Sequence, residues 1–228
     1  MENKRDDLKK RAAERAVEFV RGGQLVGLGT GSTTLFALQA LGTKVREGMK
    51  ITGVPTSKHT ETIAREFGIP LTDLNQVEKL DIVIDGADEV DNDFNMIKGG
   101  GGALTREKLV AISANLRVNV VDEEKLVSRL GKGFAVPVEV LPFAWSLSAR
   151  LLKELGCDPK LREKDGKIFA TDNDNYILDC KFDGIEDAAE LEKSIKLVPG
   201  VLECGLFVGI CDVIIVGFDD RAEVRYRK

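Results

Sequence analysis

Residues 85–108, DGADEVDNDFNMIKGGGGALTREK, gather the side chains best suited to chemistry in this 228-residue chain. Asp85, Asp88, Glu89 and Asp91 follow directly on the apolar stretch 80–84. Lys98 and four consecutive glycines come next, and then a helix-like segment with Arg106, Glu107 and Lys108. Carboxylates accept hydrogen bonds from hydroxyls, while an ammonium and backbone N–H groups meet negative charge. A carboxylate in the first turn of a helix is favoured in its ionised form, the form a general base needs. Together these parts suit a site that holds a polyhydroxylated, negatively charged small molecule and moves protons on it. Each also has a plainer use: Asp85 and Asp88 as turn formers, Glu107 as routine stabilisation of a helix start.

A second constellation is Gly27-Leu-Gly-Thr-Gly-Ser-Thr-Thr34, at a strand-to-helix turn. Glycines let a ligand approach the backbone, the helix N-terminus offers N–H groups to an anion, and the hydroxyls of Thr30, Ser32 and Thr33 add short donors. Either a phosphate cradle or a tight turn capped by Ser and Thr fits the residues. The dinucleotide fingerprint fails because Ser32 stands where its third glycine belongs, and no Gly-Lys-Ser/Thr follows to make a P-loop. The spacing Asp91-Asn-Asp93-Phe-Asn95 is not a calcium loop, since Met96 and Gly102 occupy its sixth and twelfth positions. Asp172-Asn-Asp174-Asn reads as a hairpin turn.

Around these motifs strands alternate with helices. Apolar spacing predicts a helix over 6–20, a strand at 24–28, and a helix resuming at about Leu35. A strand at 51–54, a helix over 57–67 and a short strand near Leu71 follow. Next come a strand at 82–84, a helix over 104–114 and a strand at 117–121. Near-continuous apolar strands between helices imply a mostly parallel sheet covered on both faces. From Val136 the order changes to strand 136–140, helix 143–155, strands 167–171 and 176–182, helix 185–197 and strand 201–207. That is the βαββαβ order of a ferredoxin-like unit. Strands at 213–216 and 222–226 return to the first sheet. The domains are therefore 1–132 with 206–228, and 133–205.

Composition narrows the partners. A net charge of −5, with Lys and Arg interspersed among acids, excludes the basic face of a nucleic-acid binder. No apolar stretch is long enough to cross a membrane, and the opening Met-Glu-Asn-Lys-Arg-Asp-Asp is too charged for a signal peptide. Cys157, Cys180, Cys204 and Cys211 form no Cys-x-x-Cys pair and read as reduced core thiols of a cytoplasmic protein. The single histidine, His59, rules out a multi-histidine metal site and argues against a Ser-His-Asp triad, since it reads as part of a solvated helix start.

In order along nearly the whole chain, these segments resemble ribose-5-phosphate isomerase of the A type. The likeness rests on Gly-Thr-Gly-Ser-Thr (29–33), Asp-Gly-Ala-Asp-Glu (85–89), Met-Ile-Lys-Gly-Gly-Gly (96–101) and Ala-Leu-Thr-Arg-Glu-Lys (103–108). Lys125, Gly131-Lys132, Pro137-Val-Glu-Val140, Thr171-Asp-Asn173 and Pro199-Gly-Val201 extend it. The resemblance implies a Rossmann-like catalytic domain and a small α+β domain involved in oligomerisation. It also implies homodimers or homotetramers, no cofactor and no metal. Thr30, Gly31, Ser32 and Thr33 would bind sugar phosphate, with Lys9 joining them. Asp85, Gly86, Ala87, Asp88, Lys98, Gly99, Gly100 and Gly101 would line the sugar, and Lys125 would contact substrate. Glu107 would be the acid/base of an aldose–ketose interconversion through a cis-enediolate, assisted by Lys98 and by Asp85 or Asp88 in ring opening. The activity implied is ribose 5-phosphate to ribulose 5-phosphate, in the non-oxidative pentose phosphate pathway. Another sugar-phosphate enzyme on the same fold, such as an amino-sugar-phosphate deaminase or a CoA transferase, is the alternative, as is a non-catalytic sugar-phosphate sensor. A deaminase would want a histidine for ring opening, and the presence of only one, His59, weakens that alternative.

Overall fold

A computed structural model describes residues 2–227; Met1 and Lys228, at the two ends of the first predicted domain, lie outside the described residues. Its elements run α1 (Glu2–Val17), β1 (Leu25–Leu28), α2 (Ser32–Arg46), β2 (Thr52–Pro55), α3 (Lys58–Glu66), β3 (Leu80–Gly86), β4 (Glu89–Val90) and β5 (Met96–Ile97). Then come α4 (Leu104–Ile112), β6 (Ala114–Asp122), β7 (Val136–Val140), α5 (Trp145–Lys153), β8 (Asp158–Leu161), β9 (Glu163–Lys164) and β10 (Lys167–Ile168). The chain finishes with β11 (Tyr176–Lys181), α6 (Ala188–Lys196), β12 (Val201–Cys204), β13 (Leu206–Phe207), β14 (Val213–Gly217) and β15 (Ala222–Tyr226). Two compact units share them: residues 1–87, 106–125 and 210–228 form one, residues 88–105 and 126–209 the other.

The first unit is built on a six-stranded sheet in the order β15-β14-β6-β3-β1-β2, parallel except for β15. Strand side chains alternate between faces. Ile82 and Ile84 point to the side where Ala12, Ala13 and Ala16 of α1 and Leu38 and Leu41 of α2 pack. Val83 points to the other, against Val110 and Ala111 of α4. Each such fully buried Ile or Leu contributes roughly 1.5–3 kcal/mol by leaving water. This is the doubly covered parallel sheet that the apolar runs predict. Boundaries shift where turn chemistry intervenes. The first helix ends at Val17 rather than 20, where Glu18, Phe19 and Val20 close tighter backbone bonds to Arg15, Ala16 and Val17 ahead of Gly22 and Gly23. Helix α2 begins at Ser32 rather than 35, and Leu71 makes only an isolated bridge to Gly53.

In the second unit the antiparallel sheet has the order β12-β7-β11-β8, with α5 and α6 in the two crossovers, which is the ferredoxin-like arrangement. Its second strand is β8 rather than 167–171. Asp158-Pro159-Lys160-Leu161 has a proline and two charges, so no apolar alternation announces it; an edge strand tolerates both. Residues 163–168 instead fold into the β9–β10 hairpin through Asp165 and Gly166, both at positive φ. A further sheet, β13-β5-β4, consists of two-residue strands too short to show a pattern. Through it residues 88–105, which the sequence reading assigns to the first domain, group with the second unit: Lys98 N–H donates to the Gly205 carbonyl at 2.9 Å.

Arg117 on β6 fastens the start of β14. Its Nε donates to Asp212 Oδ2 at 2.7 Å and its Nη2 to Oδ1 at 2.8 Å, and its backbone N–H adds a third bond. Burial raises the Asp212 carboxyl, but the Arg117 hydrogen bonds outweigh it and the group lies below its ordinary value of 3.8. A depressed carboxylate contributes stability above that value and loses it as pH falls through the folded one. The Tm gap between wild type and Arg117→Met is therefore expected to be full above pH 3.8 and to narrow in more acid buffer. A gap constant down to pH 2 would rule out this contribution.

Candidate active site

In the first unit the predicted residues collect where parallel strands end, the side on which open α/β sheets bind ligands. The β1–β3 register, Leu28 opposite Ile84, brings Gly29 against Asp85. A Cβ on Gly29 would stand 2.6 Å from the Asp85 Cα and against its carboxylate, so only glycine fits. Asp85, 3% exposed, accepts at Oδ1 from the N–H groups of Thr30 (3.1 Å) and Gly86 (2.8 Å). The Asp85 carboxylate is thus wired into the glycine turn.

Thr30 turns its hydroxyl inward, to Thr56 Oγ1 (2.7 Å), Ser57 Oγ (2.9 Å) and Thr60 Oγ1 (3.1 Å). Thr56 donates on to the Leu28 carbonyl and Thr60 to that of Gly29, both at 3.0 Å. These buried hydroxyls lock the turn, and only their clustering at 56–60 hinted at them. Gly31, at φ 128°, caps α2 without any side-chain bond to the helix amides. Ser32 and Thr33 then occupy the first turn of α2, with Ser32 exposed.

Glu107 lies in the first turn of α4 and is 4% exposed. Val110, one turn later, sits where a Cβ on Gly27 would meet it at 2.6 Å. The carbonyl of Ser113, just past the helix, accepts from Leu80 at the start of β3. The helix therefore runs from the carboxyl to the amino end of the sheet, which puts Glu107 on the carboxyl side. Gly86 ends β3, and Ala87 closes this part of the unit. Lys125 ends a short 3-10 turn (Glu123–Lys125) just past β6.

The second unit holds the rest. Asp88 accepts at Oδ2 from Gly100 N–H at 2.8 Å, pulling the glycine tract into a fixed loop. Lys98 is 3% exposed, with Nζ 5.4 Å from the centre of the Phe207 ring. Arg162, which the sequence reading missed, donates from Nη1 to the carbonyls of Gly99 (2.9 Å) and Gly100 (3.1 Å) while its Nε binds Asp179 at 2.9 Å. With those carbonyls tied down, the shape of the tract from Gly99 to Gly101 is set by partners far along the chain. Glu139 was also missed as a partner. Only 1% exposed in β7, it accepts from Thr105, Thr171 and Asn175. An acid inside Val-Pro-Val-Glu-Val was the available signal. Glu89 turns out to be scaffolding, its carboxylate accepting from the N–H groups of Gly131, Gly133 and Phe134. Asp91 caps its own turn through Asp93 and Asn95. Among the described residues, one group has metal-ligating spacing, Glu192, Glu203 and Cys204, away from all of these motifs in sequence.

A parallel sheet with a glycine turn at a helix N-terminus and carboxylates at the strand ends defines a Rossmann-like protein equipped to bind a small anionic molecule. The comparisons sharpen the class. The family described as ribose 5-phosphate isomerase A (phosphoriboisomerase A) matches residues 52–221. A ribose-5-phosphate isomerase A of Thermosynechococcus vestitus is 53% identical over 96% of this chain and 95% of its own length. The solved structure of ribose 5-phosphate isomerase A from Methanocaldococcus jannaschii superposes with a TM-score of 0.93 at 42% identity, covering 96% of this chain and 98% of that one. A D-ribose-5-phosphate isomerase solved in complex with phospho-erythronic acid gives 0.94 at 41% identity, with the same coverage. The chain belongs to the ribose 5-phosphate isomerase A family.

If Arg162 shapes the glycine tract, Arg162→Met should speed amide exchange across residues 99–102 by about ten-fold, as loss of a charge-assisted bond allows. Unchanged protection there would dismiss that role.

Proposed function

We propose that Glu107 is the acid/base of an aldose–ketose isomerisation, taking the proton from C2 of the sugar and delivering one to C1. The chain interconverts D-ribose 5-phosphate and D-ribulose 5-phosphate, an isomerase step of the non-oxidative pentose phosphate pathway. The observation that carries the role is the placement of Glu107: a carboxylate 4% exposed, in a first helical turn, at the carboxyl side of the sheet. One carboxylate serves both carbons when the intermediate is a cis-enediolate with C1 and C2 on one face. Atoms balance within the substrate, so the reaction consumes no co-reactant, and a Glu acid/base carries it in this reading without cofactor or metal.

The remaining roles follow from charge. The N-terminus of α2 receives the phosphate through helix N–H groups and the hydroxyls of Ser32 and Thr33, with Gly31 at the cap and Thr30, its hydroxyl turned inward, shaping the turn behind them. Lys9 adds a cation to it. Binding the phosphate, remote from the reacting carbons, holds C1 and C2 in register. Negative charge grows on the enediolate oxygen, and donors that bind it more tightly in the transition state lower the barrier. Lys98 and the N–H groups of Gly99 and Gly101 supply them, while the Gly100 N–H holds Asp88 in place. Asp85 and Asp88, beside Gly86 and Ala87, accept from sugar hydroxyls, and one of them relays the proton that opens the furanose ring. Lys125 contacts the substrate. The relative named above was solved in complex with phospho-erythronic acid, a phosphorylated sugar acid, which supports this reading.

The protein works in the cytoplasm; among the described residues no helix is long and apolar enough to cross a membrane. It assembles as a homodimer or homotetramer, and the second unit serves that contact: Leu141, Phe143, Leu147 and Leu197 are exposed on it.

Purified protein mixed with ribose 5-phosphate is expected to yield ribulose 5-phosphate. Glu107→Gln keeps the shape of the side chain and removes the base, so kcat should fall by about 10²–10⁴ while KM stays within a few-fold. A variant retaining more than about a tenth of wild-type kcat would take the role from Glu107.

A further inference from the structure

Asp122, the last residue of β6, is 1% exposed, more buried than any acid in the run 85–91. Its Oδ2 accepts from Arg5 Nε at 3.4 Å, and its Oδ1 is buried with no hydrogen-bond partner among the described residues. A desolvated carboxylate oxygen left without a donor costs stability. Folding alone gives no reason to keep it, because an apolar residue at this strand end would avoid the cost.

The arrangement of α1 supplies a reason. The helix packs on α2, β6 and β14. Its Leu8 carbonyl lies so close to Gly217 at the end of β14 that a Cβ there would collide with it. Gly217 is the register partner of Asp122. Arg5 and Leu8 thus fasten the start of α1 to the ends of two neighbouring strands, and Arg5 reaches Glu124 as well, at 3.1 Å. Lys9 is one turn beyond Arg5, about 6 Å along the axis. It shares a stripe with Ala12, Ala13 and Ala16, all 0% exposed, and its own side chain is only 14% exposed. Its contact with Asp6, at 3.4 Å, lies within its own helix and so does not tie it to the sheet.

We infer that Asp122 is a positioning residue for the phosphate site: through Arg5 it fixes the first turns of α1 and so holds the Lys9 ammonium at the carboxyl ends of the strands. The inference rests on the reading of Lys9 as a phosphate contact. Because Asp122 touches neither phosphate nor reacting carbons, its loss acts on binding and leaves the chemical step alone.

The test is a double-mutant cycle read by both KM and phosphate binding. Asp122→Asn and Arg5→Met are each expected to raise KM for ribose 5-phosphate, and the inhibition constant of inorganic phosphate, by about ten-fold through a weakened charge-assisted contact, with kcat within two-fold. In a Lys9→Met background Asp122→Asn should add nothing further. Unchanged constants, a fall in kcat at constant KM, or effects that multiply in the double variant would each overturn the inference. Arg5 is on the surface, so its variant reports on the same pin if Asp122→Asn fails to fold. If the wild type does not isomerise ribose 5-phosphate, the functional reading falls separately. The rise in Tm produced by inorganic phosphate, smaller in Asp122→Asn and Arg5→Met than in wild type, then still decides the pin.

Discussion

The contact between Gly29 and Asp85 is the constraint on which the first unit's functional edge depends. Parallel pairing of β1 with β3 forces the two residues together, and the absence of a side chain at 29 lets the Asp85 carboxylate lie against the turn. That carboxylate then accepts from Thr30 and Gly86, so it anchors the loop that leads into α2 and the end of its own strand at once. The buried hydroxyls of Thr56, Ser57 and Thr60 hold the same loop from behind. The Asp85 carboxylate and the N-terminus of α2 are therefore parts of one rigid piece, and neither moves without the other.

The second unit applies the same device with different residues. Carboxylates there are satisfied largely by backbone N–H groups or hydroxyls, and each such bond fixes a loop: Asp88 the glycine tract, Glu89 the turn from Gly131 to Phe134, Glu139 the segments at Thr105 and Thr171. Arg162 closes the set by tying the carbonyls of Gly99 and Gly100 to Asp179. The acids at 85, 88, 89 and 91 thus all serve the scaffold, each accepting from at least one backbone N–H group.

Separation along the chain decides what could be read from it. The strands at 82–84 and 213–216 announce themselves as apolar runs because both faces of the sheet are covered. The place of Glu107 in a first helical turn is legible because a glycine tract and the helix start are adjacent in sequence. Glu89 and Asp88 look alike on paper, yet the partners of Glu89 stand 42 to 45 residues away, and no local pattern reveals them. Arg162 is hidden for the same reason, 62 and 63 residues from the carbonyls it holds. β8 escapes because edge strands need no apolar alternation, and β13-β5-β4 because two residues make no period.

The path of the chain through the two units has a consequence for biosynthesis. Residues 126–209 complete the second unit before any residue of β14 has been made, although β14 lies beside β6, which ends at Asp122. During synthesis the smaller unit has all its strands to hand while the parallel sheet still lacks two. Until β14 arrives, the hydrogen-bonding groups on one side of β6 have no strand to meet. Non-local parallel pairing is slow to form, so the ribosome delivers the antiparallel module first and the last two strands of the parallel sheet only afterwards.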